Sequence, residues 1–295
     1  MKPRTFSYEC PTTRDAALAL LATHREEAGV LAGGQSLVPL MNFRLVDKQV
    51  LIDINNISDL VGISLCDGHI RIGSMTRHEA ILNSALIREQ IPLISEAMKF
   101  VAHLQIRTRG TLGGNLCNAH PSSEMPAVMA ALDAEMECQS AEKGKRVIQW
   151  NEFFVSPMVN SLEPDELLCA INVPVPAGNT GWCFLEVARR HGDFALAGAA
   201  VLLRLDPKGL IDEMKLALCG MGDGPVRLFD LEERFSGATA DDRFLGNVEM
   251  WLNSNLTAPE ELMLSSNNKK TIAATVIVRA LTRALERVQA SSFHG

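Results

Sequence analysis

The chain has 295 residues, of which 47% are hydrophobic and 21% are charged, as in ordinary globular proteins. Its net charge of −7 is accompanied by no block of basic residues, which argues against nucleic acid as a partner. No apolar run approaches the ~18 residues needed to span a bilayer, and no apolar segment of the signal-peptide type is seen, so we expect a cytoplasmic protein.

The first predicted elements are a helix and two short strands. Apolar residues at helical spacing behind a Thr/Asp start predict a helix at 13–24. The stretch AGVLAGG predicts a buried strand that runs into a tight turn, and QVLIDI (49–54) predicts a second strand. Because parallel neighbours need a crossover connection, this order indicates a small parallel α/β unit.

From about residue 60 the pattern indicates a larger mixed unit. HIRIGSMT alternates like an antiparallel strand, a helical stretch interrupted at Pro92 follows, and another helix is predicted at 124–132. AEMECQS (134–140) and ELLCAINVPVP predict further strands. PVPAGNTG (174–181) has the composition of a boundary. Beyond it, three alternating strands lead to a long amphipathic helix, NKKTIAATVIVRALTRALERVQ.

Two glycine pairs share one design, AGGQS at 32–36 and TLGGN at 111–115. Backbone without side chains can present successive N–H groups to an anion, and Ser36, Thr111 and Asn115 can add donors. A pyrophosphate needs several donors and little bulk. Neither pair fits the P-loop or Rossmann pattern, and either pair alone would be interpreted as a turn. The glycine-rich GMGDGP (220–225) is interpreted as a turn.

The seven cysteines are scattered singly, without a C-x-x-C motif or the spacing of zinc or iron–sulfur ligands. An odd number of isolated cysteines is typical of a reducing cytosol. We therefore expect no metal site in this chain. Any metal-based redox centre would have to come from partner subunits.

Several stretches resemble the FAD-binding medium subunit of the molybdenum hydroxylases, the family of aerobic carbon-monoxide dehydrogenase and xanthine dehydrogenase. They are AGGQSLVPLMNFRL, QIRTRGTLGGNLCNAHPSSEMPAVMAALDAEM, DELLCAINVP and FLEVARRHGDFALAGAA. The resemblance implies an α+β fold with FAD-binding subdomains at 1–57 and 58–176. It also implies a C-terminal domain of antiparallel sheet and helices at 177–295.

The same resemblance implies which residues contact FAD. Both glycine pairs would hold its pyrophosphate and adjoining groups, through Ala32, Gly33, Gly34, Gln35, Ser36, Leu37, Thr111, Gly113, Gly114 and Asn115. Many relatives have Asp where this chain has Glu124, an apolar residue at Leu168 and an aromatic at Phe194. By residue type alone, Glu124 is also an ordinary acid in the first turn of a helix, and Leu168 and Phe194 are ordinary strand-core residues. Some relatives have a lysine where this chain has Leu185 and Glu186.

The resemblance also implies the partners. FAD would be non-covalent, with no bond to His120 or Cys117, and no side chain of this chain would be catalytic. A large subunit would carry a molybdenum–pterin cofactor and a small subunit two [2Fe-2S] clusters, in a dimer of heterotrimers. Electrons would reach FAD from the clusters and leave to an external acceptor. Two alternatives stay open at this point: a self-sufficient FAD-dependent oxidase of the same wider fold, and a nucleotide-binding module without redox function.

Overall fold

The structure is a computed structural model that describes residues 2–262 and 264–292. The strands are β1 (Ser7–Glu9), β2 (Ala28–Leu31), β3 (Val50–Asp53), β4 (Ile63–Cys66), β5 (His69–Gly73), β6 (Glu135–Ser140), β7 (Gly144–Gln149), β8 (Phe154–Ser156), β9 (Val159–Asn160), β10 (Glu166–Pro174), β11 (Thr180–Ala188), β12 (Ala195–Leu205), β13 (Ile211–Cys219) and β14 (Val226–Arg227). The α-helices are α1 (Arg14–His24), α2 (Leu37–Asn42), α3 (His78–Asn83), α4 (Ala85–Gln90), α5 (Pro92–Met98), α6 (Leu104–Arg107), α7 (Leu112–Asn118), α8 (Glu124–Ala131), α9 (Trp150–Phe153), α10 (Phe229–Phe235), α11 (Asp242–Asn255) and α12 (Ser266–Ser292).

The chain divides into two compact units, and each is built from separate stretches of sequence. Unit 1 consists of Met1–Ser84, His103–Ala119 and Ala134–Pro174. Unit 2 consists of Ala85–Ala102, His120–Asp133 and Val175–Gly295. The contiguous three-part division at 57 and 176 stays a prediction.

A three-stranded parallel sheet in the order β1-β3-β2 begins unit 1, as the strand–helix–strand pattern predicts. Helix α1 starts at Thr13, whose side chain accepts a hydrogen bond from Ala16 N, and it places Ala17, Leu18 and Leu21 in the core. Capping of this kind satisfies an amide that the helix cannot satisfy internally. Because β2 and β3 are parallel neighbours, their carboxyl ends lie side by side at one edge of the sheet.

The second sheet of unit 1 is antiparallel, with five strands in the order β4-β5-β10-β6-β7. Its middle strand, β10, is buried over most of its length, which explains why ELLCAINVP is almost continuously apolar. The register of β10 against β6 shifts between Leu168 and Ala170. The α+β mixture of parallel and antiparallel sheets is therefore as expected.

Unit 2 is built on a four-stranded antiparallel sheet in the order β11-β12-β13-β14. Helix α12 packs on β11 and β12, and a Cβ at Gly181 would collide with the carbonyl oxygen of Ala284. Helix α8 also lies in unit 2, and all eight of its residues are buried. No helix in the described part of the chain has the length and apolar character needed to cross a membrane.

Two details of the helices differ from expectation. The helical stretch near Pro92 breaks at Ser84 as well, where the backbone is extended, so it forms three short helices. Pro92 itself begins α5, a position at which its missing N–H costs nothing. The second glycine pair, which by itself would be interpreted as a turn, lies in the first turn of helix α7.

Candidate functional site

Residues 32–37, here called the first glycine segment, connect β2 to α2 at the carboxyl edge of the parallel sheet. Gly34 has φ of 73°, a left-handed conformation that favours glycine. Gln35 Nε2 donates to the carbonyl oxygen of Gly33 at 2.9 Å and holds the turn. Within the described residues, none of the backbone N–H groups of residues 33–37 donates a hydrogen bond to the protein. Five consecutive amides are therefore available to a ligand.

Residues 110–115, the second glycine segment, use their amides differently. Leu112 N donates to Thr76 O at 3.1 Å, and Gly113 N donates to Ser74 O at 2.8 Å. Thr111 is the N-cap of α7, and its Oγ1 accepts from Gly114 N at 3.1 Å. Asn115 N donates to Thr111 O at 3.0 Å. The amides of residues 112–115 are thus all used inside the protein.

The two glycine segments lie directly against each other. A Cβ at Gly33 would collide with the carbonyl oxygen of Arg109 and lie 2.8 Å from Gly110 Cα. A Cβ at Gly114 would lie 3.5 Å from Ala32 Cβ. At Gly113 a Cβ would be 2.6 Å from Ser74 Cβ. Glycine is required at Gly33 because a side chain there would force the two backbones apart, and at Gly113 because a side chain would meet Ser74.

His78 lies beneath the second glycine segment, and sequence reasoning did not find it. It is only 3% exposed, its N–H donates to Gly110 O at 3.0 Å, and a Cβ at Gly110 would lie 2.7 Å from its Cδ2. Burial, and next the charges of Arg107 and Arg77, lower the pKa of His78 to about 4. Its Nδ1 has no hydrogen-bond partner among the described residues. At neutral pH the imidazole is therefore uncharged.

These residues fit the pyrophosphate of FAD. The free amides of the first segment supply donors, and the close glycine contacts leave no side chain between the two backbones. Two cationic residues, Arg77 and Arg109, lie close enough that the charge of Arg109 lowers the pKa of Arg77, although burial lowers it more. An anion next to such a site gains both hydrogen bonds and favourable electrostatics.

The other three residues implied by the family resemblance lie in different surroundings. Leu168 is in unit 1, buried in β10 at the register shift and opposite Cys138. Glu124 and Phe194 are in unit 2. Phe194 is 55% exposed and stacks on His120, with ring centroids 3.7 Å apart and planes 7° apart. The contact of these residues with a cofactor stays a prediction.

Unit 2 also holds two buried acids. Glu124 is 4% exposed at the start of α8, and burial raises its pKa to about 7. Burial, and next the charge of Glu124, raise the pKa of Glu186 to about 8. Glu186 Oε2 is buried and has no hydrogen-bond partner among the residues described. The two carboxyl groups are thus close enough for the charge of one to act on the other.

No group of three or more His, Cys, Asp or Glu side chains within the described ranges could hold a metal ion. All seven cysteines are free thiols, and four of them are buried: Cys138, Cys169, Cys183 and Cys219.

Two protein-family models match this chain, one over its N-terminal part and one over its C-terminal part. Residues 4–176 match the FAD binding domain in molybdopterin dehydrogenase. Residues 182–284 match the CO dehydrogenase flavoprotein C-terminal domain.

Full-length relatives agree with these matches. The chain is 46% identical to caffeine dehydrogenase subunit beta of Pseudomonas sp. (strain CBB1), covering 98% of this chain and 97% of that protein. It is 34% identical to the carbon monoxide dehydrogenase medium chain of Afipia carboxidovorans, over 98% of this chain and 99% of that protein. A solved carbon monoxide dehydrogenase from Hydrogenophaga pseudoflava superposes with a TM-score of 0.92 at 31% identity, covering 97% and 99% of the two chains.

Proposed function

The chain belongs to the FAD-binding medium subunits of the molybdenum hydroxylases, and from this premise we propose that its two glycine segments hold the pyrophosphate of FAD. As a family member it is the FAD-binding electron-transfer subunit of an oxidoreductase complex. This membership replaces the two alternatives, a self-sufficient oxidase and a non-redox module. The observation that carries the proposal is the run of five free amides at residues 33–37, closed on one side by the second segment.

The two segments have different tasks in this proposal. When bound, FAD supplies the redox chemistry of the subunit, taking up electrons and passing them on. The amides of residues 33–37 bind the phosphate oxygens, and Ser36 adds an exposed hydroxyl. Thr111, Gly113 and Gly114 fix the wall against which the first segment rests. No side chain of this chain transfers a proton to or from the organic substrate.

Titration of the full chain, freed of flavin, tests the pyrophosphate assignment. FAD is expected to bind with one equivalent per chain and to be displaced by ADP, which shares the pyrophosphate. Riboflavin, which lacks the pyrophosphate, is expected to bind at least about a hundredfold more weakly, because it forgoes several charge-assisted hydrogen bonds. Equal affinity for riboflavin and FAD would contradict the proposal.

We further propose that the complex is a dimer of heterotrimers in the cytoplasm. The partners are a large subunit with a molybdenum–pterin cofactor and a small subunit with two [2Fe-2S] clusters. The support is the family membership, the free state of all seven thiols and the lack of a metal-holding cluster among the described residues. Affinity purification of the tagged chain from its native host should recover both partners. Light scattering on the purified complex should give the mass of two copies of each subunit, and one copy of each would contradict the stoichiometry.

We propose an N-heteroaromatic compound as the substrate class of the complex. The support is the 46% identity to a subunit of caffeine dehydrogenase, since caffeine is such a compound. The test is to measure the rate at which the purified complex oxidises a methylxanthine and the rate at which it oxidises carbon monoxide. The two rates distinguish an N-heteroaromatic substrate from the substrate named for the carbon monoxide dehydrogenase relative. Oxidation of carbon monoxide but not of the heterocycle would contradict it.

We also propose that Phe194 lies near the flavin ring, as the family resemblance implies. Its exposed face and its stack on His120 leave an aromatic surface available. Phe194→Ala should shift the absorption spectrum and the reduction potential of bound FAD. An unchanged spectrum and potential would assign Phe194 to packing alone.

A further inference from the structure

A chain of side-chain hydrogen bonds connects the two glycine segments, and it involves residues outside both. Asn55 Nδ2 donates to the carbonyl oxygen of Ala32 at 2.8 Å. Arg77 Nη2 donates to Asn55 Oδ1 at 2.5 Å, and Arg77 Nη1 donates to the carbonyl oxygen of Arg109. We call these two side chains the Asn55–Arg77 bridge. It spans from the residue before Gly33 to the residue before Gly110.

Each end of the bridge is itself fixed. Asp53, the last residue of β3, accepts from both Asn55 N at 2.9 Å and Asn55 Nδ2 at 2.5 Å. Tyr8 on the neighbouring strand β1 donates its hydroxyl to the other oxygen of Asp53 at 2.5 Å. The Asn55 amide is therefore oriented by the edge of the parallel sheet, and its oxygen faces Arg77.

Arg77 is anchored to the second glycine segment through its backbone. It forms an isolated antiparallel bridge with Thr111, and the flanking bonds run from His78 N to Gly110 O and from Leu112 N to Thr76 O. The backbone of Arg77 thus belongs to the second segment, while its side chain reaches the residue that holds the first.

The bridge places a partly buried guanidinium close to a second arginine. Within the described ranges, Arg77 forms no salt bridge, and its two bonded nitrogens donate to neutral oxygens. Burial, and next the nearby Arg109, lower the pKa of Arg77, and the carboxylate of Asp53 raises it as the smallest of the three effects. An anion that comes close would therefore stabilise this guanidinium further. The free amides of residues 33–37 are on the segment that the bridge holds, and they attract the same kind of ligand.

We propose that Asn55 and Arg77 are positioning residues that set the spacing between the two glycine segments and thereby determine the affinity for a pyrophosphate ligand. This inference rests on the proposed function and deepens it. The two side chains act through the carbonyl groups of Ala32 and Arg109. Arginine is required because its planar group donates in two directions, whereas a lysine ammonium cannot bond both carbonyl-type oxygens with the same geometry.

The test compares dissociation constants of the full-length chain for FAD and for ADP. The variants are Arg77→Lys, which keeps the charge, and Asn55→Leu, which keeps the shape but removes every side-chain hydrogen bond of Asn55, including those to Ala32, Asp53 and Arg77. The control is Arg71→Gln: Arg71 also donates through two nitrogens, to Glu137 at 3.2 Å each, but on the antiparallel sheet of the same unit. Both bridge variants should bind FAD and ADP at least about tenfold more weakly, as expected for the loss of one or two charge-assisted hydrogen bonds. The control should stay within about twofold of the wild type.

The outcomes separate the inference from the proposed function. A wild-type chain that binds neither FAD nor ADP would refute the proposed function. A wild type that binds both, with bridge variants of equal affinity, would overturn the inference alone, as would full affinity in Arg77→Lys or an equal loss in the control. Circular dichroism and Tm identify a variant that has not folded. If Asn55→Leu does not fold, Asn55→Ala, which removes the same hydrogen bonds without adding bulk or charge, is measured by the same criterion.

Discussion

Residues 32–37 and 110–115 each contain a Gly-Gly pair with an amide side chain immediately after it, Gln35 in one and Asn115 in the other. In the first segment the pair ends a strand, Gly34 is left-handed, and the amides of residues 33–37 are free of protein partners within the described residues. In the second the pair lies in the first helical turn, and every amide from residue 112 to 115 is bonded.

The difference shows that two similar Gly-Gly motifs require glycine for different physical reasons. In the first pair, Gly34 is needed for its left-handed conformation, and Gly33 is needed because the carbonyl group of Arg109 leaves no room for a Cβ. In the second pair, Gly113 is needed because Ser74 leaves no room for a Cβ, and a Cβ at Gly114 would crowd the Thr111 hydroxyl that caps α7. One segment is therefore expected to control binding, and the other stability.

The largest expected effect is that of Gly33→Ala. The new Cβ would collide with the Arg109 carbonyl and separate the segments, which would weaken FAD binding by about 3 kcal/mol, or a hundredfold or more. Fluorescence titration with FAD measures this. Gly178→Ala is the control, because its Cβ would meet no atom within 4 Å. Normal affinity in Gly33→Ala would remove the distinction between the segments.

Gly113→Ala should mainly reduce stability. Its Cβ would lie 2.6 Å from Ser74 Cβ and 2.8 Å from Ser74 O, an overpacking that costs about 2 kcal/mol even after the helix-propensity gain of alanine. Urea unfolding measures the loss. Gly246→Ala, in α11 with open space around it, should instead be neutral or more stable. Equal effects of the two substitutions would show that the Ser74 contact is unimportant.

The free energy of unfolding should fall at acid pH because His78, which is buried against the second glycine segment, would have to be protonated. Its folded pKa of about 4 lies below the ordinary 6.5, so between these values the unfolded chain binds the additional proton and stability falls as pH falls. His78 should lower the free energy of unfolding by about 2 kcal/mol between pH 6.5 and pH 4.5.

His78→Gln, which cannot titrate, should lack this contribution. The difference in unfolding free energy between wild type and variant, followed against pH, isolates it. Subtraction is needed because the raised pKa values of Glu124 and Glu186 give the opposite slope, with stability lost as pH rises above about 4.5 towards 7 and 8. A pH-independent difference would mean that the pKa of His78 is the same in the folded and unfolded chain.

The smallest expected effect is that of Thr111→Val. Losing the bond from Gly114 N to Thr111 Oγ1 should cost about 1 kcal/mol of stability, with FAD affinity changed by no more than about twofold. Thr13→Val is matched to it, because Thr13 caps α1 through Ala16 N in the same unit. A loss of affinity well beyond the loss of stability would show that the Thr111 hydroxyl contacts the cofactor.

Local sequence patterns were sufficient for much of the fold. The helix at 13–24, the strands around 28–31 and 49–54 and their parallel pairing are confirmed, because periodicity and the crossover rule act over short stretches. The two Gly-Gly motifs could be related to each other from sequence because each is flanked by hydroxyl and amide side chains.

The parts that sequence reasoning missed depend on distant residues. Nothing local to Asn55, Arg77 or His78 distinguishes them from surface polar residues, and their partners Ala32, Arg109 and Gly110 are 23, 32 and 32 positions away, respectively. The helical placement of Gly113 also ran against its low helix propensity, because the Thr111 cap and the contact with Ser74 outweigh that preference. Tertiary contacts decided these features.

In the proposed site, the groups that the first glycine segment offers to a ligand are main-chain N–H groups, and most side-chain substitutions leave these in place. Replacing Gln35, Ser36 or Leu37 by alanine leaves every one of those N–H groups in place. A conventional alanine scan across this turn would therefore leave all five N–H groups intact. Only at Gly33 and Gly34 would alanine disturb them, by changing the backbone. Backbone ester substitution, which removes one N–H at a time, is the kind of mutagenesis that would detect them.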